Sequence, residues 1–438
     1  RKANPPRPTA TQKTLPGVGP NQTTNPGPNQ LAIPILGLAV AAGLASSLVA
    51  CAPQDSGNSS TNLSFWQYYG DSDSPNGVAL QAFIDNFEAE NADVSVDIRF
   101  IPFGDFNRTL IQSAVSGDLP DVALINAFDT ASMADAGVTL DLSDRVSEWG
   151  EQDAYFPTSW ETAQVGDATY GIPHLADAYA VYYNTELLDA AGLTPPTTWD
   201  EMEATAAALA VDDRTGLALS GIEGAEGATG LVIRTLAEGG TLEKFDSPEG
   251  TIALDSFQTM VDSGALSPGF LTWIEDDVMN QFATGQSAMM INSASYISVL
   301  NNDYPDLDWD VALLPEGSES RSTFLSAENL SISLTSEHAD EAWDLITFMQ
   351  RPEELEVYLP ARNKLAARND VPDASGDPVR ATFAEQLNSA WAPEGKLAAG
   401  SNEIFTFVQQ SLQAKISGTS TADALAAAQA SIDETLAK

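Results

Sequence analysis

Read for the spacing of its apolar positions, the chain resolves into strands and helices that alternate. Leu63-Ser64-Phe65-Trp66 reads as a short strand, and Leu80, Phe83, Ile84 and Phe87 then recur at helical spacing. Val94, Val96, Ile98 and Phe100 alternate as a half-buried strand does, and Leu110, Ile111, Ala114 and Val115 restore the helical period before Pro120. Val122-Ala123-Leu124-Ile125 is a continuous apolar run, the pattern of a strand covered by helices on both faces. The unit is βαβαβ, and it predicts an open, doubly wound α/β lobe. A second set begins near Tyr170, with a strand at Tyr179 to Tyr183 and a helix opening at Thr198-Trp199-Asp200-Glu201. There the Thr198 hydroxyl and the Glu201 carboxylate predict a capping box. Ser287 to Ile291 and Trp309 to Leu313 read as further strands. Ala342 to Met349 reads as a helix with Asp340 and Glu341 in its first turn, and Glu403 to Ala414 and Thr421 to Lys438 as two more.

Ahead of this body runs a different pattern. An apolar stretch begins at Leu31 and closes on Leu48-Val49-Ala50-Cys51, which holds the only cysteine of 438 residues. Small residues before a cut and a free thiol after it are what lipoprotein processing requires. Residues 1–50 are therefore expected to be a signal leader, and Cys51 the residue that takes a diacylglyceryl chain. With the thiol committed to lipid, no disulfide framework is expected. Residues 51–62 carry APQDSGNSSTN after the cysteine and read as a flexible tether between membrane and body.

The body that follows exceeds one ordinary hydrophobic core and fits two lobes. Its charge narrows the function. The chain carries 62 acidic and 19 basic residues, a formal net charge of −43, and a surface of that sign repels nucleic acid and anionic headgroups. No nucleic-acid partner is expected. A diffuse acidic excess also serves solubility outside the cell.

The order of segments resembles the extracellular solute-binding proteins of ABC importers, in particular the maltose-binding-protein-like carbohydrate group. The residues that carry the likeness are FEAENADVSVDIRFIPF (87–103), SGDLPDVALIN (116–126), YGIPHLADAYAVYYNTELLDAAGLTPPTTWDE (170–201), FATGQSAMMIN (282–292) and PARNKLAARNDV (360–371). The resemblance implies a type II periplasmic-binding-protein-like fold of two doubly wound α/β lobes joined by a hinge. Residues 63–172 plus 316–372 would form the first lobe and 173–315 plus 373–438 the second. It further implies a monomer that closes around a mono- or oligosaccharide and delivers it to ABC permease subunits served by a cytoplasmic ATPase, with no cofactor and no chemistry of its own.

Ligands in open α/β sheets gather at the carboxyl ends of strands, and sugars call for flat aromatic faces beside fixed polar groups. Tyr68 and Tyr69 follow the first strand, and Asn126 and Asp129 end the third. By similarity Asp177 is placed as the carboxylate for sugar hydroxyls. Ser295 stands where relatives carry a stacking tryptophan, with Tyr296 beside it, and Phe405 aligns with another such tryptophan. Glu328 lies in the segment returning to the first lobe. His174, Trp273 and Asn329 complete the candidates.

Rival functions leave other signatures. Ferric-iron binding in this architecture uses adjacent tyrosines, which Tyr68-Tyr69 and Tyr182-Tyr183 supply; strand alternation, however, sends Tyr182 and Tyr183 to opposite faces. An enzyme would need a nucleophile elbow, HExxH or a P-loop, none of which occurs, while carboxylate-based glycan hydrolysis is not excluded by spacing. The calcium-like run Asp306 to Asp310 fails at Val311, where the loop needs glycine.

Overall fold

The computed structural model describes residues 60–371 and 376–438. The leader 1–50, Cys51 and tether residues 52–59 lie outside them. The strand–helix alternation of the first lobe is present: strand Thr61–Gln67, helix Pro75–Glu90, strand Val94–Phe100, helix Phe103–Ser116 and strand Val122–Asn126. Thr61 and Asn62, expected in the tether, open the first strand instead. The Thr61 amide donates to the Asp93 carbonyl at 2.8 Å, and Thr61 and Asn62 stand in register with Val94 and Ser95 of the neighbouring strand, so backbone pairing claims them.

The six-stranded sheet of this lobe runs, edge to edge, Leu365–Ala366, Ile172–Asp177, Ser326–Ile332, Val122–Asn126, Thr61–Gln67, Val94–Phe100. Its last three members are parallel, so their carboxyl ends, Gln67, Phe100 and Asn126, share one side. Ser326–Ile332 enters antiparallel between Val122–Asn126 and Ile172–Asp177. Helix Pro75–Glu90 starts at Ser74, whose hydroxyl accepts from the Gly77 amide, and buries Leu80, Phe83, Ile84 and Phe87 as their spacing predicts. Helix Phe103–Ser116 departs from expectation. Phe106 and Leu110 form its buried face, while Ile111 is 42% and Val115 88% exposed. Phe106 and Leu110 stand one turn apart on one line, and the larger ring takes the core, which turns the next line outward.

The second lobe carries a four-stranded sheet in the order Trp309–Ala312, Tyr179–Asn184, Ser287–Ser293, Thr215–Ala218. Helix Trp199–Leu209 packs on it so closely that a Cβ at Gly216 would stand 1.9 Å from the Ala206 carbonyl oxygen, so only glycine fits there. Thr198 caps that helix by accepting from the Glu201 amide at 3.2 Å. The return half of the box goes one residue upstream of expectation, since Glu201 accepts from the Thr197 amide at 2.8 Å.

The lobes are joined by neighbouring crossing strands. Ile172–Asp177 belongs wholly to the first sheet and Tyr179–Asn184 to the second, so the chain crosses at Ala178, not at 172/173. Asp177 still pairs with Ser326 in the first sheet, which is why the boundary shifts. The return crossing lies at Thr323–Leu325 and not at 315/316. Glu316 remains on the second lobe, accepting from the Trp199 amide at 3.1 Å, and Thr323–Phe324 pairs with Ala390–Trp391. The expected third boundary, 372/373, falls outside the described residues.

Candidate functional site

Asp177 sits where the first crossing leaves the sheet, and it is fully buried. One carboxylate oxygen accepts from the amides of Ala178 at 2.9 Å and Ala294 at 3.0 Å. The other accepts from the Ser295 hydroxyl at 2.9 Å and from the Lys364 ammonium at 3.1 Å. Four protein donors, drawn from both lobes, occupy the positions a sugar would need. The sequence-based role of direct hydroxyl acceptor is therefore replaced by that of a pin at the hinge, and Ser295 is spent on that pin. Lys364 is held cationic here: burial works against its charge, but Asp177 and Glu328 outweigh it and raise its pKa. It arrives by way of Asn363, which ends helix Pro352–Arg362 in the left-handed region at φ 50 and donates to Ser298 of the second lobe at 2.7 Å.

The first-lobe wall grows from the strand ends. Gln67 folds the turn after the first strand, its side chain donating to the Gly70 carbonyl at 2.8 Å and accepting from the Tyr69 amide. Tyr68 and Tyr69 meet edge to face with ring centres 5.5 Å apart. The Arg362 guanidinium lies 3.6 Å from the Tyr69 ring centre, and the buried Tyr69 hydroxyl has no protein partner. Burial, then Glu328, pushes both phenols well above their ordinary range. Glu328 pairs in the sheet with Asn126; its Oε2 is buried without a donor, and burial raises its pKa against the pull of Lys364 and Arg362. Asn126 turns the chain by accepting from the Phe128 amide at 3.1 Å, which delivers Asp129 to the interface. There Asp129 accepts from Asn402 of the second lobe at 3.2 Å, and burial raises its pKa.

The second-lobe wall is carboxylate and aromatic. The Tyr179 hydroxyl donates to Glu275, and the Tyr296 hydroxyl donates to Asp276 at 2.8 Å. Glu226 accepts from the Glu275 amide at 2.7 Å and from Ser220 at 3.0 Å, and Ser220 also holds the Trp273 carbonyl at 2.8 Å. Trp273 thus fixes the backbone entry of the helix that carries Glu275. Burial, reinforced by Glu226 and Asp177, pushes Glu275 up to about 7, while the Tyr179 hydroxyl and Lys364 oppose the shift.

Three candidates belong to the interior instead. Phe405 is 1% exposed in the second core, its ring 5.4 Å from Phe324 and 6.2 Å from Phe128. Asn329 is spent inside the first lobe on Thr130 at 2.9 Å and the Thr162 carbonyl at 3.1 Å, on the sheet face opposite the cleft residue Glu328. His174 lies near-parallel beside Phe83 and Tyr358 and meets Gln350 at 3.1 Å, and burial, aided by Arg362, pushes it down to about 3 and keeps it neutral. Tyr182 likewise points inward and donates to the Ser293 carbonyl at 2.7 Å, while Tyr183 faces the other side. Sequence reasoning passes over Tyr179, Glu226, Glu275, Arg362 and Lys364. The three acids after Trp273-Ile274 and the basic pair in PARNK were the available signals.

Two measurements test this geometry. Asp177→Ala strips a buried ion pair of its anion and is expected to lower unfolding stability by about 3–5 kcal/mol in urea titration; wild-type stability would refute the pin. For Glu275, the folded chain keeps a proton between about pH 4.5 and 7 that the unfolded chain has released, so stability falls as pH rises through that window. Glu275→Gln is expected to melt higher than wild type at pH 8 and to match it at pH 4, and equal melting at both would contradict the buried carboxyl.

A sequence profile of bacterial extracellular solute-binding proteins matches residues 71–356. A Brucella abortus protein named only as a binding protein is 27% identical over 308 residues, 65% of this chain and 72% of the relative. The GacH receptor of Streptomyces glaucescens, solved unliganded and with acarbose, has the same fold at TM-score 0.74 and 24% identity, over 86% of this chain and 99% of its own. The cyclic α-maltosyl-1,6-maltose binding protein of Arthrobacter globiformis does so at TM-score 0.76 and 23% identity, over 86% and 99%. Two α/β lobes on crossing strands and a profile match over most of the body lead to one assignment: the chain belongs to the bacterial extracellular solute-binding protein family.

Proposed function

We propose that this chain is the receptor of an ABC importer, that it captures a mono- or oligosaccharide between its lobes, and that it passes the sugar as a monomer to permease subunits driven by a cytoplasmic ATPase. The observation that carries the reading is the pairing of walls across the hinge. Tyr69 stacked on Arg362 with Glu328 beside it, and Tyr179 with Glu275, approach the Asp177–Lys364 pair from the two lobes, and Tyr296 stands by Glu275. Aromatic faces suit the C–H faces of a sugar ring, and carboxylates each accept from hydroxyls. The structural relatives cited above are receptors of acarbose and of a cyclic maltosyl-maltose, which fits the same class of ligand. Iron is less well served, because the Tyr182 hydroxyl is committed to a carbonyl.

The test is a thermal-shift panel on the purified chain with maltotriose, mannobiose and ferric citrate. A cognate sugar at 100 times its Kd is expected to stabilise the folded state by about 2.7 kcal/mol through mass action. No shift with any sugar, together with a visible tyrosinate band on ferric loading, would replace the sugar reading by iron.

The lipid anchor is proposed on the Leu48-Val49-Ala50-Cys51 run and on a Streptomyces antibioticus relative, 26% identical over 323 residues, that is described as a lipoprotein. Cells expressing Cys51→Ser are expected to lose incorporation of labelled fatty acid into this protein. Undiminished labelling would reject the anchor at that residue.

A further inference from the structure

The three parallel strands of the first lobe end side by side, and two of those ends already supply the cleft: Tyr68 and Tyr69 after Gln67, and Asp129 after Asn126. The third end, Phe100, belongs to the edge strand and lies on the outer flank of the Tyr68 turn. Ile101 is buried and donates its amide to the Gln67 carbonyl at 2.9 Å, which locks this end to the turn that carries Tyr68 and Tyr69. Pro102 then starts helix Phe103–Ser116, and Phe103 stands in its first turn. Phe103 is 60% exposed although its ring centre is 5.1 Å from that of Tyr68, with Phe106 another 5.1 Å from Tyr68 behind it. Gly104 follows, and a Cβ there would meet nothing within 4 Å, so no side chain at that position shades the ring.

Polar groups stand beside this surface. Asn107, one helical turn on and on the same face, bonds to the Asp129 carboxylate, which also accepts from Asn402 across the lobes. A bare aromatic face continuous with a buried tyrosine, flanked by an amide and a carboxylate, is the combination that a sugar ring requires.

We propose that Phe103 is a stacking platform for an additional ring of the bound sugar at the mouth of the cleft, so that the solute is an oligosaccharide reaching past Tyr68. This rests on the sugar reading and extends it from ligand class to ligand length. The rival occupant is a protein partner, because Ile111 and Val115 continue an exposed stripe along the same helix. The stripe beyond Asn107 is aliphatic, whereas the ring and its polar neighbours lie at the cleft end, and this favours the sugar.

The experiment is calorimetric titration of the full chain with two length series, maltose to maltotetraose and mannobiose to mannotetraose. Wild type is expected to bind the tetrasaccharide of its cognate series more tightly than the disaccharide. Phe103→Leu, which keeps apolar bulk against Tyr68 but removes the flat face, is expected to weaken the tetrasaccharide about 2- to 10-fold and leave the disaccharide unchanged. Phe103→Trp is expected to keep the length dependence and to shift its indole emission with the tetrasaccharide alone. Equal affinity of Phe103→Leu and wild type at every length would overturn the platform. Loss of uptake in cells with sugar binding intact would likewise overturn it in favour of a protein-docking face. A wild type that binds no member of either series would remove the sugar reading and this inference together.

Discussion

The buried contact between Asp177 and Lys364 is the constraint on which the arrangement of the two lobes depends. A carboxylate fully withdrawn from water at a crossing strand is tolerable only if its lone pairs are filled, and here two amides, a hydroxyl and an ammonium fill them. Those donors come from both lobes. The cost of burying the charge is thereby converted into a fixed meeting point: the short helix Ala294–Tyr296 of the second lobe and the turn after helix Pro352–Arg362 of the first must both reach Asp177, or the charge is stranded.

The same contact organises the electrostatics of the cleft. In a chain with more than three acids for every base, the placement of cations is selective, and Arg362 and Lys364 lie two residues apart beneath the first-lobe wall. They temper Glu328, which is buried with an unfilled oxygen. Across the hinge no comparable pair stands among Glu226, Glu275 and Asp276, so Glu275 yields by holding its proton toward neutrality, although Lys364 is near enough to oppose it. One wall is charge-balanced and the other is acidic. A neutral polyol with many donors suits both, since it satisfies the free carboxylate oxygens without importing charge.

What the sequence revealed follows from which physics is periodic. Strand and helix alternation was legible from Leu63 onward because burial on one face imposes a period on the residues themselves, as in Leu80, Phe83, Ile84 and Phe87. Depth is not periodic. Asn126 ends a strand and Phe405 stands one turn into a helix, yet the first turns the chain toward Asp129 and the second is sealed in the core by Phe128 and Phe324. Similarity put Asp177 among the candidates, but that four protein donors would claim it was not legible, because three of them come from residues more than a hundred positions away. The face of helix Phe103–Ser116 was misassigned for a related reason: two adjacent apolar lines compete for the sheet, and Phe106 decides the contest through its contact with Tyr68, a partner the local pattern does not include.

Bond strength between the lobes is unevenly distributed between the crossing strands and the rest of their interface. At the crossing, the two strands are tied to each other by Tyr179 and Thr323, whose backbone and hydroxyl exchange reciprocal bonds of 3.0 and 3.1 Å. Ala176, Ala178 and Ala180, all fully buried, keep the side chains small along the crossing segment. Away from the crossing, Asn402 ties the second lobe to Asp129 by a single side-chain bond, whereas the bond from Asn363 to Ser298 stands beside Lys364 and reinforces the pin. A single bond of this kind contributes about 1 kcal/mol net, less than the about 3–5 kcal/mol at stake when a buried ion pair is broken. The lobes are therefore held firmly at the crossing strands and weakly at the Asn402–Asp129 contact, the uneven distribution of bond strength that a hinge between two packed lobes uses.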